Sequence, residues 1–241
     1  MAENFKNLLV FDSSSSNIFF GGISRNATFF EVKNFEKSKL SRFLPEEFIK
    51  VVSKHDFSEL PRIIIGNGPG TFTGIKSGAA FFLAFVYSLG IKTVETVSSF
   101  SFVSSLFDFT DTDLRIVLIP FNKGEYFAAL IDNNNHLLLK DLFFKPPYES
   151  VSSVFAGFSG AKIDIAAPIF CGSEILPALE KTFKIENFFF ENFTFNPQRF
   201  KTLPDTKCVD ITTEPFIINH IIAPANLNDS GNFYVKNPLG R

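Results

Sequence analysis

The chain has 241 residues, 45% apolar and 20% charged, a balance that excludes a disordered or low-complexity polypeptide. That length suits one large domain or two lobes of roughly 110 residues each. Its 23 basic and 25 acidic residues leave a formal charge of -2, which excludes a global positive field for nucleic acid or an anionic membrane.

The first residues, MAENFKNLLVFD, lack the apolar core of a signal peptide, and no stretch of about 18 uncharged apolar residues occurs, so the expected location is the cytoplasm. Residues 8–11 (LLVF), 18–23 and 28–32 read as three strands of a meander, with DSSSS at 12–16 as the first turn. From Leu40 to Val52, apolar residues recur at helical spacing, with Pro45 as a kink or late start. Residues 62–65 read as a buried strand, Ile75 to Leu89 as an uncharged helix, 91–94 as a strand and 98–107 as a Ser-rich helix.

The acidic stretch DFTDTD at 108–113 marks a boundary, after which the rhythm restarts. Strands are expected near 114–120, 125–132 and 137–143, a Pro-Pro turn at 146–147, a helix near 148–157, a strand at 168–171 and a helix at 173–183. Residues 184–210 carry no clear period; a helix near 213–222 and a tail at 232–239 close the chain. The second half thus echoes the meander-then-helix order of the first.

The strongest local signal is Gly66-Asn67-Gly68-Pro69-Gly70-Thr71-Phe72-Thr73-Gly74, between a strand and a helix. Such a loop could aim backbone amides and a helix N-terminus at an anion; the alternative is a structural turn. It matches neither common phosphate motif, because Ile75 stands where a P-loop needs glycine and Thr71 where a dinucleotide fingerprint needs its third glycine. Asp12, followed by four serines, reads either as a metal or phosphate ligand or as the cap of its own turn.

The helix after the loop presents Ile75, Ala79, Phe82, Val86 and Leu89 on one face and Phe81, Ala84 and Phe85 on the other, and has no charge from Ser77 to Ile91. A helix apolar all round must be covered all round, so part of it is expected to face another helix or a partner protein. Small residues Gly78, Ala79 and Ala80 permit close approach. His55, His136 and His220 show no HxxxH or HExxH spacing, and no GxSxG elbow occurs, so neither a metal set nor a catalytic nucleophile is expected. Cys171 and Cys208 read as small buried hydrophobes, and the 34 Phe as aromatic packing.

Three segments, LLVFDSSSS at 8–16, IIIGNGPGTFTGIKSGAA at 63–80 and NFYVKNP at 232–238, together resemble the bacterial TsaB family, also called YeaZ. Ser13, Lys76 and Tyr234-Val235-Lys236 depart mildly from the family's usual Thr, Arg and Tyr-Leu-Arg, and Asn34 to Lys39 lacks a His that many relatives carry. The resemblance implies an α/β, two-lobed actin-like ATPase fold of the ribonuclease H-like kind. Each lobe would be a mixed sheet with flanking helices: residues 1–110 a partner-binding lobe, 111–241 a second lobe whose last segment returns to the first.

It also implies a role without catalytic residues of its own: binding and activating TsaD, the subunit that makes threonylcarbamoyladenosine in tRNA, alongside the ATPase TsaE. The contact would run through helices at 40–53 and 74–89, with Phe43, Phe48, Val52, Ile75, Gly78, Ala79, Phe82 and Val86 as the interface. A second copy would take the same surface in a homodimer. Contact with tRNA would be indirect, no resident cofactor or metal is implied, and ATP or ADP at a subunit boundary is left open. Two rival readings stand beside it. One is a phosphotransferase or ATPase using Asp12 with Gly66, Gly68, Gly70, Thr71, Thr73 and Gly74 around a nucleotide, for which Cys171-Gly172-Ser173 is only a partial second-lobe counterpart. The other is a peptidase, for which no nucleophile or metal set is present.

Overall fold

Four consecutive apolar residues, Leu8 to Phe11, can be buried together only in a strand covered on both faces, and β1 (Leu8–Asp12) lies inside a sheet with every residue buried. The computed structural model describes residues 7–24, 27–34, 40–55, 61–108, 110–168, 173–190 and 192–212, apart from the side chains of 40, 41, 43, 52, 72, 73 and 141. The expected helix at 213–222, the tail at 232–239, and with it the NFYVKNP segment, lie outside the described residues.

Around β1 the first sheet is ordered β11-β5-β4-β1-β2-β3. β2 (Asn17–Ser24) and β3 (Ala27–Asn34) complete an antiparallel meander, and β4 (Arg62–Gly66) and β5 (Thr93–Val97) add on the other side in parallel. Helices α1 (Leu40–Ser53) and α2 (Phe72–Ser88) make the connections. α1 runs through Pro45 without a break.

A short helix, α3 (Ser99–Ser104), leads to the second sheet, ordered β10-β9-β6-β7-β8. There β6 (Leu114–Asn122), β7 (Glu125–Asp132) and β8 (Leu137–Phe144) repeat the antiparallel meander, and β9 (Lys162–Ala166) and β10 (Lys184–Phe189) repeat the parallel pair. The connecting helices, α4 (Ser150–Val154) and α5 (Leu176–Glu180), have five residues each, against 17 in α2. After α6 (Pro197–Lys201) the chain crosses back, and β11 (Lys207–Asp210) pairs antiparallel with β5 at the edge of the first sheet.

The two-residue alternation of strands sorts the core into three layers. Leu9, Phe11, Ile63 and Ile65 face outward under α1 and α2. Leu8, Val10 and Ile64 face inward and pack with α3 and with Val117, Ile119, Phe127 and Ala129 of the second sheet. Ile116, Leu118, Ile163 and Ile165 face the far side, under α4 and α5.

Two expectations are corrected. The strand expected at 168–171 lies instead at Lys162–Ala166, and the helix expected at 173–183 shrinks to Leu176–Glu180. The strand escaped notice because Asp164 interrupts KIDIA; its charge is tolerated in a fully buried position only because Arg115 lies 3.5 Å away and Thr110 and Asn187 donate hydrogen bonds to it. Arg115, also fully buried, donates to the carbonyls of Ser104, Phe107 and Asp108 at and just past the end of α3, and burial brings its pKa down to about 10.

Candidate functional site

The loop at 66–74 and the turn at 12–16 form one knot. Asp12 Oδ1 accepts hydrogen bonds from the amide of Ser14 (2.9 Å) and from its hydroxyl (2.6 Å), an Asx-type turn. Asp12 Oδ2 accepts from Ser99 Oγ at the start of α3 (2.6 Å). The carboxylate touches no solvent, and burial raises its pKa while the Ser14 and Ser99 hydrogen bonds pull the other way. Gly66 is required here: a β-carbon at that position would stand 1.8 Å from Asp12 Oδ2.

Three backbone amides of the loop have partners within the protein. Gly68 N donates to Ser99 Oγ (3.0 Å), Thr71 N to Ser14 O (2.8 Å), and Gly74 N to Thr71 Oγ1 (3.3 Å), which caps α2. Gly70 packs against Ser14 and Gly74 against Ser13, whose hydroxyl donates to Gly74 O (3.0 Å). Asp12 therefore takes the turn-capping alternative, and this loop is a clasp joining β1, β4, α2 and α3. The side chain of Thr73 lies outside the described residues, as do Cys171 and Gly172.

The helix pair departs from expectation in the face it presents. Phe48, Ile75, Ala79, Phe82 and Val86 are buried in their own lobe and cannot meet a partner; Gly78 is buried against Ser13. The reason is the sheet: Phe82 stacks on Phe11 of β1 (4.6 Å between ring centres), which turns that side of α2 inward. Phe48 of α1 packs against Phe81, Phe82 and Phe85 at 4.5–5.5 Å and joins the two helices. The side chains of Phe43 and Val52 lie outside the described residues.

What remains open to solvent is the opposite side of the pair. Ala80, Ala84 and Tyr87 (67% exposed) run up α2, Phe81 and Phe85 are half-buried beside them, and Ile49 (61% exposed) stands on α1. Sequence reasoning named Ala80 for close helix approach but missed Ile49 and Tyr87 as surface residues. For Tyr87 the signal was the spacing of positions 80, 84 and 87, which places it on one stripe of α2 with Ala80 and Ala84. Lys50 pairs with Glu46 and Glu47 within α1, so charge flanks Ile49, while Lys33–Glu47 and Lys54–Glu31 tie α1 and the residue just past it to β3.

Elsewhere the other candidates separate. His55 stacks on Phe29, and His136 lies 3.0 Å from Asp132 Oδ2. Among the described residues, no group of three or more His, Cys, Asp and Glu gathers for a metal, and no helix is long and apolar enough to cross a membrane. Cys208, expected to be buried, is exposed because β11 is an edge strand.

Two copies of one β-β-β-α-β-α-β unit, facing each other across a shared inner layer, define a two-lobed protein of the actin-like ATPase fold. Among solved structures it resembles YeaZ from Pseudomonas aeruginosa, with a TM-score of 0.54 at 11% identity over 82% of this chain and 90% of that one. It also resembles a protein described as similar to peptidase YeaZ from Pseudomonas aeruginosa, with a TM-score of 0.55 at 13% identity over 77% of this chain and 84% of that one. No protein-family model and no curated protein matches the chain significantly.

Proposed function

We propose that this chain is a TsaB-type subunit: a non-catalytic, cytoplasmic partner that binds a TsaD-type catalytic subunit and holds it in its active conformation for threonylcarbamoyladenosine synthesis on tRNA. The observation that carries this reading is the uncharged stripe of Ala80, Ala84 and Tyr87, flanked by Phe81, Phe85 and Ile49 and left open to solvent. An apolar helix face bordered by charge is the anatomy of a protein interface, and small residues let a partner helix approach closely. The likeness of fold to YeaZ supports the same reading. The interface proposed is therefore the outward stripe; the inward residues Phe48, Phe82 and Val86 support it from below. TsaE would join through the assembled pair, contact with tRNA would be chiefly TsaD's, and in the absence of TsaD a second copy of this chain would take the same stripe.

The phosphotransferase reading has less support. Asp12 is enclosed by Ser14, Ser99 and Gly66, and the amides of Gly68, Thr71 and Gly74 are already engaged, so a nucleotide would have to displace the clasp that joins four elements.

The test is co-purification with the TsaD-type subunit of the same cell. Ala84→Arg and Tyr87→Asp should abolish the complex while leaving a folded chain with unchanged circular dichroism. Undiminished binding by both folded variants would overturn the placement.

A further inference from the structure

We propose that Asn17 and a phenylalanine strap at residues 193–195 lock the two lobes into one rigid body, so that this chain has no working hinge and offers any partner a fixed surface. Two-lobed proteins that close on ligands do so through a few residues at a weakly bonded junction. Here the junction is bonded on three sides.

At the ends of the strands, Asn17 opens β2 directly after the DSSSS turn. Its Nδ2 donates a 2.6 Å hydrogen bond to the carbonyl of Pro168, just past the end of β9, and its Oδ1 accepts one of 2.7 Å from Asn34 Nδ2. Asn17 is buried, so both ends of its amide are committed and the bond that spans the two sheets is shielded from water.

A second tie runs along the chain between β10 and α6. Phe193 packs edge-on against Phe19 of the first sheet (4.9 Å) and tilted against Phe107 (5.3 Å), and Phe195 stacks on Phe30 of β3 (5.2 Å) and lies tilted against Phe200 (5.3 Å). Between them, Thr194 N donates to Leu106 O at 2.7 Å. Gly21 leaves room for this: a β-carbon there would come within 2.9 Å of Phe30 and 3.0 Å of Phe195.

The floor of the junction is the inner layer itself, where Leu8, Val10 and Ile64 share one apolar cluster with Val117, Ile119 and Phe127. Separating the lobes would expose that cluster to water, break the Asn17 bridge and pull two rings from aromatic contacts at once. The chain also returns from the second sheet to the first, where β11 hydrogen-bonds to β5.

The isolated chain supplies the main readout, whichever partner it binds. Spin labels are placed at exposed positions of the two lobes, Thr28→Cys and Val154→Cys, with Cys171 and Cys208 changed to Ser, and their separation is measured by pulsed electron resonance. The expected result is a single narrow distance distribution, unchanged by Mg-ATP and by a TsaD-type subunit. Adding Asn17→Ala and Phe193→Ala to the labelled chain should broaden it. Two populations in the labelled chain with Asn17 and Phe193 intact, or a shift on adding either binder, would overturn the proposal whether or not the sixfold variant folds.

Discussion

Asp12 and Gly66 are neighbours across the β1–β4 pair, so close that the carboxylate oxygen occupies the space a side chain at position 66 would need, 1.8 Å from its β-carbon. The glycine-rich loop is thus shaped around an acid of its own protein. Gly66→Ala should destabilise the fold by about 1–3 kcal/mol, the usual effect of forcing atoms into a packed interior. Chemical denaturation reads this directly, and an unchanged midpoint would contradict the close approach.

The same acid predicts a pH dependence. Burial raises the Asp12 pKa above its ordinary value of 3.8, so on raising pH the unfolded chain releases this proton before the folded chain does. Between those two values the folded state binds more proton, and the contribution of Asp12 to stability falls as pH rises. Asp12→Asn keeps an acceptor for Ser14 and removes the titration. The variant should therefore gain stability relative to the native chain as pH rises above 3.8, measured as a rising difference in urea midpoint. A difference that falls over the same range would show that the serine hydrogen bonds outweigh burial.

Asp164 and Arg115 are buried together, and breaking such a pair leaves a charge with nothing to offset it. Asp164→Ala should cost about 3–5 kcal/mol, a fall in midpoint of roughly 6–20 °C for a chain of this size. Replacing both residues with apolar ones of similar volume should recover part of that loss. Thermal denaturation of the single and double variants separates the two effects.

The two faces of α2 should respond differently to charge. Phe82→Asp, on the inward face, should yield little folded protein, because it strips a ring from the Phe11 and Phe48 contacts and buries a carboxylate without a partner. Tyr87→Asp, on the outward face, should change the melting temperature by no more than about 2 °C, since exposed substitutions are worth within about 0.5 kcal/mol. Equal destabilisation by both would mean that the outward stripe is covered within the single chain.

How much of this was legible in the sequence depends on the range of the interaction that decides each feature. The meander, the Gly-rich loop and α2 follow from local pattern: LLVF, DSSSS and the run Ile75 to Leu89 each carry their own turn or period. β9 was not legible, because Asp164 reads as a loop residue until Arg115, 49 positions away by number, is known to face it. β11 was not legible either. KCVD has no strand period of its own and is extended only because β5 supplies an edge more than 100 residues earlier.

The sequence alone determined that α2 is apolar all round and that something must cover it, since composition counts greasy residues without regard to direction. Only the tertiary structure decided which side is covered by the chain itself: the sheet takes Ile75, Ala79, Phe82 and Val86 and leaves Ala80, Ala84 and Tyr87 to water. A helix with no polar face carries no compass, and the contact of Phe82 with Phe11, between segments about 70 residues apart, supplies it.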